Sequence, residues 1–267
     1  MIDKTQNRLY TLKRPVIFAH RGASAYAPEN TLAAFELAIK QNTPAVELDV
    51  MLTKDQKVVV FHDLSIERVT GIKGNIRQMT LAEVKKLDVG SYFDSAFEGE
   101  RIPTLEEVFD FIRDKLLINI ELKNYLTPFD PLPELVASLV EKWQLQASVF
   151  FSSFNPIALI RIKRQLPQVP IALLAPEGKL GWPARSRLGE LCRYQAIHPH
   201  YSDVNAKFIA LHHRKGHLIN AYTVNNVSTM RLLFDLGVDG VFTDDPPLAQ
   251  TLLNTLHYPG ERKNDSS

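Results

Sequence analysis

Short β-rich apolar runs alternate along this chain with stretches whose apolar residues recur at helical spacing. The runs lie at 16–19, 45–50, 117–122, 148–152, 171–175, 196–200, 218–224 and 240–243. Between them, Leu32, Phe35 and Ile39 share one helical face, as do Leu135, Leu139 and Trp143. Asn155-Pro156 sets a cap followed by proline at the first helical position. A helix over about 206–215 stops near Gly216, one through Met230, Leu233 and Phe234 stops at Gly237, and Asp245-Pro246 opens a last one through Leu248, Leu252 and Leu256. Strand–helix alternation predicts a parallel sheet, and eight such units favour a closed (β/α)8 barrel over an open doubly wound sheet. The residues after the first run, His20-Arg21-Gly22-Ala23-Ser24, lack the glycine spacing of a dinucleotide-binding turn.

One segment, about 53 to 103, breaks the rhythm. It begins with the polar turn Thr53-Lys54-Asp55-Gln56 and runs into the apolar 58–61. This predicts a hairpin extending the second strand, then a small irregular insertion. The insertion leaves the C-terminal end of that strand, so it overhangs the barrel mouth, where active sites of this fold lie. The whole chain, 1–267, is expected to form one catalytic barrel domain carrying this insertion.

Composition narrows the chemistry. Hydrophobic residues make up 45% and charged residues 23%, with a net charge of +1, so no general field draws the chain to nucleic acid or membrane. The lone Cys192 excludes an internal disulfide and a cysteine zinc cluster. Lys4, Arg8, Lys13 and Arg14 flank no signal-type apolar region, and no run approaches membrane-spanning length. A cytoplasmic enzyme acting on a small molecule is expected, without a nucleic-acid partner or stable membrane insertion.

The charged residues at the strand ends carry the function. Glu47 and Asp49 are two apart on one strand and point to the same side; Glu121 holds a similar place on the third strand. Three converging carboxylates repel each other, and a hard divalent cation removes the conflict; all-oxygen ligation selects Mg²⁺, Ca²⁺ or Mn²⁺. The competing reading makes them solvated strand ends or partners of Arg21 and Lys123. His20 and His62 each follow an apolar strand directly and suit paired acid–base work near neutral pH. Arg21 and Lys123 suit an anionic substrate. A metal, two histidines and two cations together point to phosphoryl chemistry. In Pro28-Glu29-Asn30-Thr31, Asn30 or Thr31 reads as a helix N-cap, with a site role for Glu29 the alternative. His198-Pro199-His200, on the sixth strand without a neighbouring carboxylate, reads as structural or outer-shell. His212, His213 and His217 flank a helix end and read as surface residues.

The ordered set His20-Arg21-Gly22, Pro28-Glu29-Asn30-Thr31, Glu47-x-Asp49, Thr53-Lys54-Asp55, His62-Asp63 and Glu121-Leu122-Lys123 resembles the glycerophosphodiester phosphodiesterase family. Ile102-Pro103-Thr104-Leu105, Thr223-Val224-Asn225 and Thr243-Asp244-x-Pro246 extend the resemblance over about 16–250. It implies a metal-dependent (β/α)8 barrel that hydrolyses glycerophosphocholine, glycerophosphoethanolamine and similar diesters to glycerol 3-phosphate and an alcohol. It implies Glu47, Asp49 and Glu121 as metal ligands, His20 and His62 as the acid–base pair, and Arg21 and Lys123 as phosphate contacts. Two positions depart from the family pattern: Tyr222 stands where tryptophan is usual, in the wall of the substrate pocket, and Gln56 replaces a turn glycine. The rival enzyme reading is a lysophospholipase D or sphingomyelinase D-like phosphodiesterase, which would want an apolar rim at the mouth; the 92–97 segment is suggestive of one. A non-catalytic phosphate-ligand barrel is the rival of another class, and would be expected to lose a ligand or a histidine. A metal amidohydrolase would want H-x-H on the first strand, where this chain has His20-Arg21.

Overall fold

The alternating runs close into a ring. The computed structural model describes residues 6–113 and 115–256. Its strands are β1 (Val16–Ala19), β2 (Ala45–Leu52), β3 (Val58–Val60), β4 (Leu117–Leu122), β5 (Val149–Ser153), β6 (Ile171–Ala175), β7 (Ala196–Pro199), β8 (Leu218–Ala221) and β9 (Gly240–Thr243). All but β3 pair in parallel, and β9 pairs with β1, so eight strands form a closed TIM barrel with helices between them. A closed parallel sheet leaves no edge, and both its faces are covered, so nearly every strand residue is buried. The seventh run, β8, is shorter than the expected 218–224. After Ala221 only Tyr222 keeps a bridge, to His200, and the Val224 amide turns to the Phe242 carbonyl.

Inside the barrel the bottom is apolar. Phe18 stacks on Phe242 at 4.7 Å and meets Phe150 edge-on at 5.7 Å. Leu9, Val16, Ala45 and Leu117 complete this plug, closing the barrel below the polar residues. Outside, the helices bury their apolar faces on the strands; Leu105, Val108, Phe109 and Ile112 are buried from one helix, Leu105–Ile112. That helix starts in a capping box, Thr104 and Glu107 each satisfying the other's backbone N–H.

Residues 53–103 leave the top of β2 as expected. β3 pairs antiparallel with β2, Val50 opposite Val60 and Leu52 opposite Val58. The rest wraps around a separate small core of Met51, Phe61, Ile66, Val69, Ile76 and Ile102 among others. This core fixes His62 and Asp63, one and two residues beyond Phe61, against the barrel mouth.

One histidine lies deeper than its helix-end position suggests, and another fills the barrel interior. His212 is buried, not at the surface: on the helix Ala206–Arg214 it shares the inward face with Phe208, four residues earlier, and their rings are 4.3 Å apart. His198 is fully buried inside the barrel, its Nε2 3.2 Å from Asn220 Nδ2. Burial pushes His198 down to about 3, and burial followed by His217 and Lys215 pushes His212 down to about 4. In the unfolded chain both would titrate near 6.5. As pH falls from there towards the folded values, the unfolded chain binds protons that the folded chain refuses, so stability is lost. Each such group costs up to about 1.4 kcal/mol per pH unit. Urea midpoints between pH 7 and 4.5 should therefore fall steeply, and less steeply in His198→Gln. Equal slopes in both proteins would show that His198 does not govern the acid limb.

Candidate active site

The two-residue period of β2 puts Glu47 and Asp49 on the interior face. The register of the sheet sets Glu121 of β4 opposite Asp49 and Asn119 opposite Glu47. One oxygen from each of Glu47, Asp49 and Glu121 lies within 4.8 Å of the other two, and all three residues are buried. The three residues expected to converge do so, at the C-terminal end of the barrel.

Their charges are partly balanced by protein. Lys123 Nζ is 3.0 Å from Glu121 and 3.4 Å from Asp49; Arg21 Nε is 3.4 Å from Asp49. Asn30 donates its amide to Asp49 Oδ2 at 2.9 Å. Burial works against the Asp49 carboxylate, but Lys123 and Arg21 outweigh it and hold the group well below the usual range. Glu47 is different. Burial, then Asp49 and Glu121, push it well above the usual carboxylate range, opposed by Arg21 and its backbone N–H at 3.0 Å. Glu47 Oε1 is buried without a hydrogen-bond partner among the described residues. For Arg21 and Lys123, burial disfavours the charge but the surrounding carboxylates overcome it, and both are held above their ordinary values. The donor set is all oxygen and one oxygen is unspent, so the residues fit a hard divalent cation.

The backbone is shaped for this. Arg21 and Asn30 both adopt left-handed conformations, φ 56° and 58°. Gly22 follows at φ 85°, and a Cβ there would sit 2.6 Å from that of Ala34, so the turn presenting Arg21 requires glycine. Thr31, not Asn30, caps the first helix through its hydroxyl, which frees the Asn30 side chain to brace Asp49.

His20 and His62 stand at the ends of β1 and β3 and line one cavity of about 170 Å³ with Arg21, Glu47, Glu121 and Lys123. His20 Nδ1–H donates to Asp244 Oδ1 at 2.6 Å, leaving Nε2 4.0 Å from Glu47. His62 Nδ1–H donates to Asp63 Oδ1, also at 2.6 Å. The two imidazoles thus share one arrangement: a carboxylate holds Nδ1, and Nε2 is left for proton exchange. Asp244 is itself fixed by Asn225 at 2.5 Å and Ser24 at 3.0 Å. Asp63 continues into a chain of charges: Arg68 Nε at 2.6 Å, then Glu29, which in turn accepts from Arg21 at 2.9 Å. Glu29 therefore joins the His62 side of the site to Arg21. Tyr222 lines the same cavity, its hydroxyl bonded to the Ala175 carbonyl at 2.9 Å and its ring 6.0 Å from Phe154.

The positioning roles of Asp63, Asp244, Arg68 and Asn30 are not evident from residue type and spacing. Asp63 and Asp244 lie in sequence motifs; Asp63 holds its neighbour His62, but Asp244 meets His20 from 224 residues away. The His198-x-His200 pair does not join the carboxylates. His198 faces the cavity floor, while His200 bonds Ser202 at 2.7 Å.

The sequence matches the glycerophosphoryl diester phosphodiesterase family over residues 20–248. A glycerophosphodiester phosphodiesterase of Caldanaerobacter subterraneus subsp. tengcongensis is 36% identical, covering 92% of this chain and 100% of its own length. One from Bacillus subtilis is 34% identical over 91% of this chain and 88% of its own. Among solved structures, an Oleispira antarctica phosphodiesterase in complex with its product sn-glycerol-3-phosphate superposes with a TM-score of 0.80. It is 33% identical and covers 92% of this chain and 99% of its own.

Proposed function

As the chain belongs to the glycerophosphoryl diester phosphodiesterase family, we propose that it hydrolyses small, soluble glycerophosphodiesters in a divalent-cation-dependent reaction. Glycerophosphocholine and glycerophosphoethanolamine are the substrates in view, and glycerol 3-phosphate and an alcohol the products. The observation that carries this reading is one cavity lined by Glu47, Glu121, two aspartate-held histidines, Arg21 and Lys123, with an oxygen of the buried Asp49 within 4.8 Å of both carboxylates. Glu47, Asp49 and Glu121 would hold the cation, Mg²⁺ or Ca²⁺, with Mn²⁺ sharing the same ligand preference. Once bound, such an ion supplies charge to a phosphate oxygen and lowers the pKa of the attacking oxygen.

The protein's own groups do the rest. Arg21 and Lys123, both kept cationic by their carboxylates, bind the remaining phosphate oxygens. One Nε2 takes the proton of the attacking oxygen, which is water or the free glycerol hydroxyl next to the ester. The other Nε2 protonates the departing alcohol; where the glycerol hydroxyl attacks, this leaves a cyclic glycerol phosphate, which a water then opens to glycerol 3-phosphate with the two histidines exchanging roles. Asp244 and Asp63 keep each ring in the tautomer that makes this exchange available. Phe154, Leu174, Phe242 and Tyr222 give the cavity an apolar wall for the glycerol carbons. Asn119 Oδ1 and His198 Nδ1, buried and without hydrogen-bond partners among the described residues, offer its hydroxyl a polar floor. Every metal ligand, histidine and phosphate-binding cation of the family's set is present, which argues against a barrel that only binds phosphate. We place the enzyme in the cytoplasm; no helix among the described residues is long and apolar enough to cross a membrane.

The lysophospholipase D alternative has one observation in its favour, the exposed apolar side chains on the loops after β4 and β6. A substrate panel separates the readings. Deacylated diesters should be cleaved with a higher kcat/KM than lysophosphatidylcholine. Tyr222→Trp, which fills the wall and removes the hydroxyl, should shift preference among head groups more than it alters metal dependence. A kcat/KM for lysophosphatidylcholine above that for every deacylated diester would reject the reading.

A further inference from the structure

We propose that the β6–β7 connection docks reversibly on an anionic phospholipid surface, turning the barrel mouth towards it. This connection leaves the C-terminal end of β6, at the same end of the barrel as the active site. Leu180 is 83% exposed and Trp182 63%, far more than apolar side chains settled by packing. The loop beneath them is built, not slack. Arg185 is tied to Asp203 at 2.7 Å and to the Pro176 carbonyl at 2.8 Å. Gly181 lies so close to Pro176 that a Cβ would come within 1.8 Å of its carbonyl oxygen. The apolar tips are thus held outward by a fixed backbone.

Two strands away, the loop after β4 adds Leu126 at 67% and Phe129 at 77% exposure on the same end of the barrel. Lys179 is exposed in the same groove as Trp182, Arg187 is exposed five residues further along the same connection, and neither makes an ion pair among the described residues. The chain's net charge of +1 gives no long-range pull, so the attraction is local to this loop. Outward Trp and Leu flanked by free cations match the boundary of a bilayer, where indole seats at the headgroup level and Lys and Arg meet anionic lipid. A second copy of the chain would offer the same cations to Lys179 and Arg187, which disfavours self-association through this patch. Docking here would bring the mouth to the surface at which deacylation releases glycerophosphodiesters from phospholipid.

Co-sedimentation with vesicles tests this. Phosphatidylcholine vesicles containing roughly one-third phosphatidylglycerol should bind the protein, and phosphatidylcholine alone should bind it much less. With Trp143→Phe as background, the remaining Trp182 emission should shift to the blue on the anionic vesicles. The double variant Leu180→Glu, Trp182→Ser should lower the partition by about tenfold or more, with glycerophosphocholine hydrolysis unchanged. Lys179→Glu, Arg187→Glu should remove the preference for phosphatidylglycerol. Three results would overturn the proposal. The first is no binding to anionic vesicles, or binding that both double variants retain. The second is a dimer in light scattering that Leu180→Glu, Trp182→Ser dissolves. The third is an effect of that variant confined to cleavage of monomeric lysolipid, which would make the patch an acyl-chain site.

Discussion

EDTA is expected to abolish hydrolysis of glycerophosphocholine, and Mg²⁺ or Ca²⁺ to restore it. Glu47→Gln should prevent the restoration while leaving the far-ultraviolet circular dichroism and the urea midpoint close to wild type. The argument rests on what the three carboxylates lack. Asp49 is satisfied by Lys123, Arg21 and Asn30, whereas Glu47 Oε1 has no hydrogen-bond partner among the described residues and its carboxyl is pushed upward by burial, Asp49 and Glu121. Without a cation, Glu47 therefore tends to hold a proton. Binding a cation requires the carboxylate, so it should release that proton, and affinity should rise as pH rises through the raised Glu47 value. Titration calorimetry in buffers of different ionisation enthalpy reads the proton directly. In Glu47→Gln the proton release should vanish with the tight binding. Full turnover in metal-free protein, or tight pH-independent binding in Glu47→Gln, would remove these residues from the metal site.

The parts of this molecule that are legible in sequence depend on short-range periodicity. The eight strands come from apolar runs, and the interior placement of Glu47 and Asp49 comes from the period of a strand. The hairpin after β2 comes from a polar turn, and its conformation explains a family departure. Gln56 takes φ 57°, the left-handed backbone for which glycine is the usual residue, with Thr53 holding the turn through the Lys57 amide. What sequence leaves hidden is set by long-range closure. That Asp244 meets His20 depends on β9 returning beside β1. That Arg68 reaches Glu29 depends on the fold of the insertion. Asn30 looks like a cap because caps and carboxylate braces use the same amide, and only the backbone turn at Asn30 tells them apart. His212 misleads because a helix end reads as surface until Phe208 is seen to share its face.

His20→Ala and His62→Ala should each lower turnover on glycerophosphocholine by about 10²–10⁴-fold, the usual contribution of a positioned acid or base. Binding of glycerol 3-phosphate should change much less, because Arg21 and Lys123 remain. The two can be separated by leaving group. The variant whose defect shrinks with an alcohol of much lower pKa lacks the general acid, and if that variant is His62→Ala, His62 is the acid. The carboxylates behind them are positioning residues and have a sharper test. Asp63 holds Nδ1 of His62 and Asp244 holds Nδ1 of His20. Asp63→Asn and Asp244→Asn should therefore each reduce kcat with little change in KM. If each aspartate acts only through its own histidine, His62→Ala, Asp63→Asn should be no slower than His62→Ala alone, while His62→Ala, Asp244→Asn should be slower than either parent. Arg68 adds a complication, since it joins Asp63 to Glu29 and through it to Arg21. A residual loss of phosphate affinity in Asp63→Asn, absent from Asp244→Asn, would locate that second route. Near-wild-type turnover in either histidine variant would refute its part in proton transfer, and additive losses within each aspartate–histidine pair would refute the positioning role.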